Sequence, residues 1–175
     1  MKPLLNFETE SFSYKLYQGN QEEQKMIEEF KNDSSTKEFL SEFWNYIQET
    51  KEDIENDFEP QRYTSIVYYE EFPIGLITFF DLDNELIFSH GIRPSQRGNS
   101  FSSRIKKEVY DYVFRNLETV EKITVYIDVN NEKNLRSLQK LPYDEIEKIY
   151  DDKKQKEFYK VSNRNPYLEE VKKSI

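Results

Sequence analysis

A short polar segment between residues 93 and 103 has the composition of an anion-binding loop. A glycine in such a loop lets the backbone approach a ligand, an arginine can contact a phosphate oxygen, and serine hydroxyls can donate hydrogen bonds. The segment offers Arg97, Gly98, Asn99, Ser100, Ser102 and Ser103. These residues also suit a plain helix N-terminus with serine caps, so the segment alone leaves both interpretations open.

The elements on either side of the segment favour the anion site. Residues 86–92 predict a strand, and residues 123–129 alternate in polarity as a second strand. A helix is predicted between them, because an apolar residue recurs every four positions at Phe101, Ile105, Val109, Val113 and Leu117. A strand, a helix and a strand in succession form a βαβ unit with parallel strands and a right-handed crossover. The loop therefore leads into a helix N-terminus, where free N–H groups and the helix dipole favour anions.

The remaining elements extend this unit into a mixed sheet flanked by helices. Three strands in a row predict an antiparallel meander at residues 64–69, 74–80 and 86–92. A short strand precedes them at 11–16, followed by a helix at 21–31 and a second helix that opens with a capping box at Ser35 and Glu38. A further helix is predicted from Asn131, and a closing hairpin at 143–149 and 156–161.

No linker or repeat interrupts these elements, so we expect one domain over residues 1–175. Its parts are an N-terminal strand with helices at 1–63, a sheet core with the loop at 64–130, a C-terminal helix and hairpin at 131–161, and a polar tail at 162–175.

The composition excludes several classes of function. The net charge of −9 argues against nucleic-acid binding and favours cationic partners through long-range attraction. Without cysteine and with His90 as the single histidine, we expect no metal site and no disulfide. No apolar run is long enough for a membrane span, and Met1 to Asn6 is too short for a signal peptide, so we expect a cytoplasmic protein that does not bind membranes.

Two segments of the chain together resemble the GNAT N-acetyltransferase superfamily. The first is Ile92-Arg93-Pro94 followed by Arg97-Gly98-Asn99-Ser100-Phe101-Ser102, which is similar to the acyl-CoA-binding motif of that family. The second is Asn131-Glu132-Lys133-Asn134 followed by Lys140-Leu141-Pro142-Tyr143, at the family's spacing. The resemblance implies a GNAT-like α/β fold with about six to seven strands and about four helices, closest in style to the branch that acetylates ribosomal-protein N-termini.

The resemblance also implies a co-substrate and the residues that bind it. Acetyl-CoA would lie between two parallel strands that splay apart, with Gly91 permitting a bulge there. The residues implied in binding it are Ile92, Arg97, Gly98, Asn99, Ser100, Phe101, Ser102, Ser103 and Asn131. The implied reaction is direct transfer of an acetyl group to a primary amine of a cationic acceptor, either a small amine or a protein N-terminus.

Two residues are candidates for removing the proton of the amine. Glu85, with Asp83 near it, lies nearest to the place where several members of the family keep a carboxylate, and His90 has a side chain whose ordinary pKa suits base catalysis. Alternation places His90 on one strand face with Phe88 and Ile92. A packed structural histidine and a solvated turn glutamate are the other interpretations of these residues.

Several departures from the family pattern keep other functions open. Ser100 and Ser102 replace small Gly or Ala residues, Pro142 replaces a glycine, and Leu138 stands where many members have a tyrosine acid. A GNAT-like module that binds acyl-CoA with little or no turnover is one alternative, and an unrelated protein-interaction domain is another. Either a monomer or a homodimer is compatible with the sequence.

Overall fold

The structure, a computed structural model, describes residues 4–138 and 140–168, with residues 37–41 described through their backbone alone. The chain forms two compact units, each built from two segments. The first consists of Met1–Phe80 and His90–Glu108, and the second of Asp81–Ser89 and Val109–Ile175.

Among the described residues, the first unit includes four antiparallel strands and two complete helices. Its elements are β1 (Phe7–Glu8), β2 (Ser13–Lys15), α1 (Gln21–Asn32), α2 (Lys37–Glu55), β3 (Arg62–Tyr69) and β4 (Phe72–Leu82). Helix α1 begins with a capping box, in which Asn20 and Glu23 satisfy each other's backbone N–H groups. Large rings fill the core of this unit; Phe30 and Phe43 are 1% exposed, so a few aromatic residues supply much of the buried area.

The second unit contains the crossover and the C-terminal hairpin. Its elements include β5 (Glu85–Ile92), α3 (Phe101–Asn116), β6 (Lys122–Asp128), α4 (Glu132–Leu138), β7 (Glu145–Asp151) and β8 (Lys156–Arg164). Strand β5 ends in the first unit, and helix α3 begins there. The apolar stripe predicted for α3 is confirmed, because all five of its residues are buried.

Hydrogen bonding orders the eight strands β1-β2-β3-β4-β5-β6-β8-β7. The predicted mixed sheet is confirmed, with β5 and β6 as a parallel pair. That pairing covers only three residues of each strand, Glu85–Ile87 with Lys122–Thr124, although both strands continue beyond it. The four predicted helices are present, but the prediction of six to seven strands is too low, because β1 is only two residues long and shows no alternation that a sequence pattern could detect.

Two boundaries differ from the sequence prediction. The N-cap of α2 is Thr36 rather than Ser35, whose hydroxyl instead donates to Asp33 Oδ2 at 2.8 Å; the side chain of Glu38, the other member of the predicted capping box, lies outside the described residues. The polar tail predicted from residue 162 starts later, because β8 continues to Arg164 and the buried Asn165 donates to the carbonyl of Val120 at 2.9 Å. Residues 169–175 of that tail lie outside the described residues.

Candidate functional site

The loop between β5 and α3 turns the backbone sharply before the helix starts. The N–H of Arg93 donates to the carbonyl of Ile74 at 2.8 Å, and residues Pro94–Gln96 form one turn of 3-10 helix. Two residues then adopt the left-handed backbone conformation, Gly98 with φ of 87° and Ser100 with φ of 60°. Helix α3 begins directly after them, so the N–H groups of its first turn, which have no partner within the helix, lie at the end of this loop.

Gly98 and Ser100 adopt the same left-handed conformation at different energetic cost. Glycine adopts a positive φ at little cost, and a Cβ added to Gly98 would meet no atom within 4 Å, so this side of the loop is open. Serine pays for the same conformation, because its Cβ crowds the following carbonyl. Ser100 stands where the GNAT motif has a glycine, and the loop keeps the glycine conformation at that position despite the substitution.

Arg97 is held by three contacts to the protein. Its Nη2 atom lies 2.9 Å from Oδ2 of Asp33, its Nη1 atom donates to the hydroxyl of Ser35 at 3.3 Å, and its Nε atom donates to the carbonyl of Ile92 at 3.3 Å. A guanidinium group carries five N–H donors, so these contacts leave two for a ligand. The arginine predicted to contact phosphate is therefore present at the loop, with its plane fixed by protein groups.

Arg93 anchors the start of the loop to helix α1. Its side chain is 6% exposed, and its Nη2 atom lies 2.6 Å from Oε1 of Glu29. The second oxygen of Glu29 accepts from the N–H of Ser95 at 3.2 Å. The guanidinium also donates to the carbonyl of Pro73 and lies over the ring of Phe72, so the buried charge is compensated on several sides.

His90 forms a hydrogen-bonded pair with a serine of the α3 N-terminus. Its Nε2 atom lies 2.6 Å from Oγ of Ser102. Burial, together with the positive charge of Lys106, lowers the pKa of His90 to about 4. The imidazole is therefore neutral at physiological pH, and the strand face predicted for His90 brings it to the loop region.

The other predicted loop residues use their side chains locally. The amide of Asn99 donates to the carbonyl of Gln96 at 3.1 Å, and the hydroxyl of Ser103 donates to the carbonyl of Ser100 at 3.1 Å. The ring of Phe101 is 7% exposed and belongs to the core. Backbone N–H groups, rather than these side chains, are thus the donors that the loop can offer to an anion.

Glu85 and Asn131 belong to the second unit, and both are engaged there. The carboxylate of Glu85 accepts from the hydroxyl of Thr124 at 2.5 Å and lies 3.2 Å from Nζ of Lys122. Burial raises the pKa of the Glu85 carboxyl, but these two partners lower it more, so its pKa lies below the usual range. Asn131 accepts from the N–H of Asn134 at 3.2 Å, as a residue preceding α4 does when it caps the helix.

Sequence reasoning missed the acidic partners of the two arginines. Glu29 and Asp33 lie four residues apart at the C-terminal end of α1, which places them on one face of that helix. The spacing was visible in the sequence, but a run of glutamates on a helix is usually solvent-exposed, and nothing local indicates which arginine it meets. A shallow depression of about 650 Å³ lies beside this face, and its lining includes Glu29, Asp33 and Arg93.

Within residues 4–138 and 140–168, no cluster of three or more His, Cys, Asp or Glu side chains could hold a metal ion. No helix in the same ranges is both long and apolar enough to cross a membrane.

Comparison with solved structures identifies the fold. The chain is similar to a protein described as a ribosomal-protein-serine acetyltransferase from Vibrio cholerae, with a TM-score of 0.69, 12% identity and coverage of 94% of this chain and 99% of the other. It is also similar to a spermidine N-acetyltransferase SpeG chimera from Vibrio cholerae and hSSAT, with a TM-score of 0.67, 12% identity and coverage of 91% and 99%. The microcin C7 self-immunity acetyltransferase MccE, in complex with acetyl-CoA and AMP, has a TM-score of 0.65, 10% identity and coverage of 89% and 93%.

No family model and no curated protein sequence matches the chain. The structural likeness nevertheless confirms the fold predicted from the two motifs, which is that of the GNAT acetyltransferases.

Proposed function

We propose that this chain, which has the GNAT acetyltransferase fold, transfers an acetyl group from acetyl-CoA to a primary amine of a cationic acceptor. One observation carries the proposal: the loop of the acyl-CoA motif keeps two positive-φ residues, Gly98 and Ser100, and leads directly into the N-terminus of α3. A similar fold holds acetyl-CoA in MccE. This combination of loop and helix end suits a diphosphate group.

The described residues fit the phosphate end of the co-substrate. The first-turn N–H groups at residues 101–103 are the main donors, and Gly98 leaves space for the ligand to approach. Arg97 adds charge with its two remaining N–H donors. At the other end of the co-substrate, the backbone N–H of Ile92 is the group we assign to the oxygen of the thioester, where negative charge develops during attack.

The transfer itself is a direct displacement. The neutral amine nitrogen attacks the thioester carbonyl carbon, so that a C–N bond forms and the C–S bond breaks. The nitrogen loses one N–H proton as it becomes an amide, and the CoA thiolate gains one proton and leaves as the free thiol. An alkylamine has a pKa near ~10, so most acceptor molecules must first lose a proton.

Neither candidate base has a pKa near 7, where general-base catalysis is most efficient. Burial lowers the pKa of His90 to about 4, and the pKa of Glu85 lies below its usual range. We therefore propose that the acceptor reacts from its small neutral fraction. In this scheme His90 stays neutral beside Ser102.

The charge of the protein supports a cationic acceptor. The chain has 34 acidic and 25 basic residues, and such an excess raises the local concentration of cations by long-range attraction. The structurally similar proteins include a spermidine acetyltransferase chimera and a protein described as a ribosomal-protein-serine acetyltransferase, so we propose a small polyamine-like amine or a protein N-terminus as the acceptor class.

A binding assay followed by a turnover assay tests this function. We expect acetyl-CoA to raise the melting temperature of the protein and thiol release to require an amine. Arg97→Glu should weaken acetyl-CoA binding, whereas Arg115→Glu, which makes the same charge change at an exposed position of α3, should not. No thermal shift with millimolar acetyl-CoA would contradict the proposal.

A second candidate function is an acyl-CoA-binding module without turnover. Leu138, which is 6% exposed, stands where many GNAT enzymes place a tyrosine acid, so no phenol protonates the leaving thiolate from that position. Binding of acetyl-CoA without thiol release, across polyamines and N-terminal peptides, would favour the module.

A further inference from the structure

We propose that Asp33 is a positioning residue for the co-substrate: its carboxylate, at the end of α1, orients Arg97 so that the guanidinium presents its remaining donors to the phosphates. This inference rests on the proposed function, because it concerns the same loop. It adds a residue from a distant part of the sequence, 64 positions before Arg97.

The Asp33 carboxylate is itself firmly placed. Its Oδ2 atom accepts from the hydroxyl of Thr36 at 2.7 Å and from the hydroxyl of Ser35 at 2.8 Å, in addition to its contact with Arg97 at 2.9 Å. The side chain is 20% exposed, so water competes only in part for these contacts. The two hydroxyls belong to the short segment between α1 and α2. Because they hold the carboxylate in place, the carboxylate can hold the guanidinium of Arg97 in one orientation.

The guanidinium of Arg97 is held by the protein through each of its three nitrogen atoms. Its contacts with Asp33, Ser35 and the carbonyl of Ile92 involve all three nitrogen atoms but only three of the five N–H bonds. A guanidinium is planar, so these three directions also determine the remaining two. A free arginine would lose side-chain entropy on meeting a phosphate, whereas this one has already lost it.

The contact also stays formed under assay conditions. Hydrogen bonds from Thr36 and Ser35, together with the charge of Arg97, lower the pKa of Asp33 to about 2. The carboxylate is therefore ionised at every pH at which an amine acceptor would be tested.

A different pair of contacts attaches the loop to α1. The attachment of the loop therefore does not depend on the contact that orients Arg97. Arg93 and Ser95 both bind the carboxylate of Glu29, one turn before Asp33. Loss of the Asp33 charge leaves these contacts in place. The expected consequence is weaker co-substrate binding without loss of the loop.

The primary test is Asp33→Asn, which keeps an oxygen acceptor for the two hydroxyls and removes the charge that holds Arg97. We expect the Kd for CoA, measured by calorimetry, and the KM for acetyl-CoA to rise about three- to tenfold. At saturating acetyl-CoA, kcat should stay within about twofold, because Asp33 touches no reacting atom.

One control variant and one partial variant test whether the effect belongs to the Asp33 charge. Glu28→Gln removes the same charge from the same depression, and the described residues include no hydrogen-bond or ion-pair partner of Glu28, so its Kd should match the wild type. Thr36→Val removes one of the two hydroxyls that hold the Asp33 carboxylate but keeps its charge, so we expect a smaller rise in Kd than with Asp33→Asn. A rise as large as that of Asp33→Asn would show that the loss does not come from the Asp33 charge.

A double-mutant cycle shows whether Asp33 acts through Arg97. In an Arg97→Gln background, Asp33→Asn should change the Kd for CoA by less than about twofold, because the guanidinium that it orients is gone. An equally large effect in both backgrounds would overturn the proposal, as would unchanged or tighter binding by Asp33→Asn alone. Tighter binding would show that the carboxylate competes with phosphate for Arg97.

These outcomes remain distinct from failure of the proposed function. If the wild-type protein does not bind CoA, the proposed function fails, and this inference fails with it. If the wild type binds CoA and Asp33→Asn binds equally well, only the inference fails.

Discussion

A Cβ atom added to Gly75 would lie 2.2 Å from the carbonyl oxygen of Gly91, far inside the contact distance of carbon and oxygen. Strand β4 and the end of β5 can approach this closely only because Gly75 has no side chain. At Gly91 itself, an added Cβ would meet the ring of Phe30 at 3.5 Å, an ordinary contact. The glycine that the close approach requires is therefore Gly75, whereas Gly91, expected from the sequence to permit a bulge, has room for a methyl group.

The two alanine variants at these positions should differ strongly. Gly75→Ala forces backbone against backbone, and we expect it to lower the free energy of unfolding by about 3 kcal/mol. Gly91→Ala should change it by less than about 1 kcal/mol. Urea denaturation of both variants checks this, and equal destabilisation would contradict the contact.

Ser100 offers a substitution that should stabilise the protein. A positive φ costs a non-glycine residue about 1–2 kcal/mol, while glycine gains entropy in the unfolded chain, so Ser100→Gly should stabilise by about 0.5–1 kcal/mol net. Ser103→Gly makes the same chemical change inside α3 and should destabilise by about 0.5 kcal/mol. Denaturant midpoints of the two variants that move in the same direction would show that Ser100 is not strained.

His90 should make stability depend on pH in a defined window. The pKa of its imidazole is about 4 in the folded protein and about 6.5 in the unfolded chain. Between these values the unfolded state binds more protons, so stability is complete above pH 6.5 and falls as the pH drops toward 4, by up to about 1.4 kcal/mol for each unit of pKa difference.

The measurement is simple, because His90 is the only histidine in the chain. Its ring resonances in an NMR titration should remain those of a neutral imidazole down to about pH 5. His90→Gln should flatten the pH dependence of unfolding between 5 and 6.5. A ring that titrates near 6.5 in the folded protein would contradict the burial of its charge.

The pH dependence of turnover should follow the pKa of the acceptor amine rather than the pKa of a group on the protein. If the amine reacts from its neutral fraction, kcat/KM for the amine should rise about tenfold per pH unit from pH 6.5 toward the amine pKa, which is about 10 for an alkylamine and about 8 for a protein N-terminus. His90→Gln should keep that slope. With an alkylamine acceptor, a plateau above pH 7 in the wild type that is removed in the variant would instead identify His90 as the general base.

The elements of the fold follow well from local patterns. The four-residue spacing of Ile105, Val109 and Val113 identified α3, and alternation identified β6, because both elements bury one regular set of side chains. Strand β1 was missed because two residues cannot show a period. The left-handed turn at Ser100 is also not visible locally, because serine does not favour it.

The candidate site likewise has features that local sequence patterns show and features that they do not show. The loop residues, including Arg97, could be selected as candidates from the sequence, because their types and order indicate an anion-binding loop. The pairing of Arg97 with Asp33, and of Arg93 with Glu29, depends on where α1 lies against the loop. Such pairings connect residues more than 60 positions apart, and charge patterns along one helix do not specify their partners.

Phe101 links the packing of the core to the geometry of the loop. Its ring lies 5.0 Å from that of Tyr69 and 6.0 Å from that of Phe12, inside the first unit's core, while its own N–H is a first-turn donor of the loop. A repacking substitution at Phe12 or Tyr69 would move the backbone of residue 101. If the loop binds acetyl-CoA as proposed, a directed-evolution library aimed at thermostability in this core would also vary the affinity for acetyl-CoA, and its variants need selection for both.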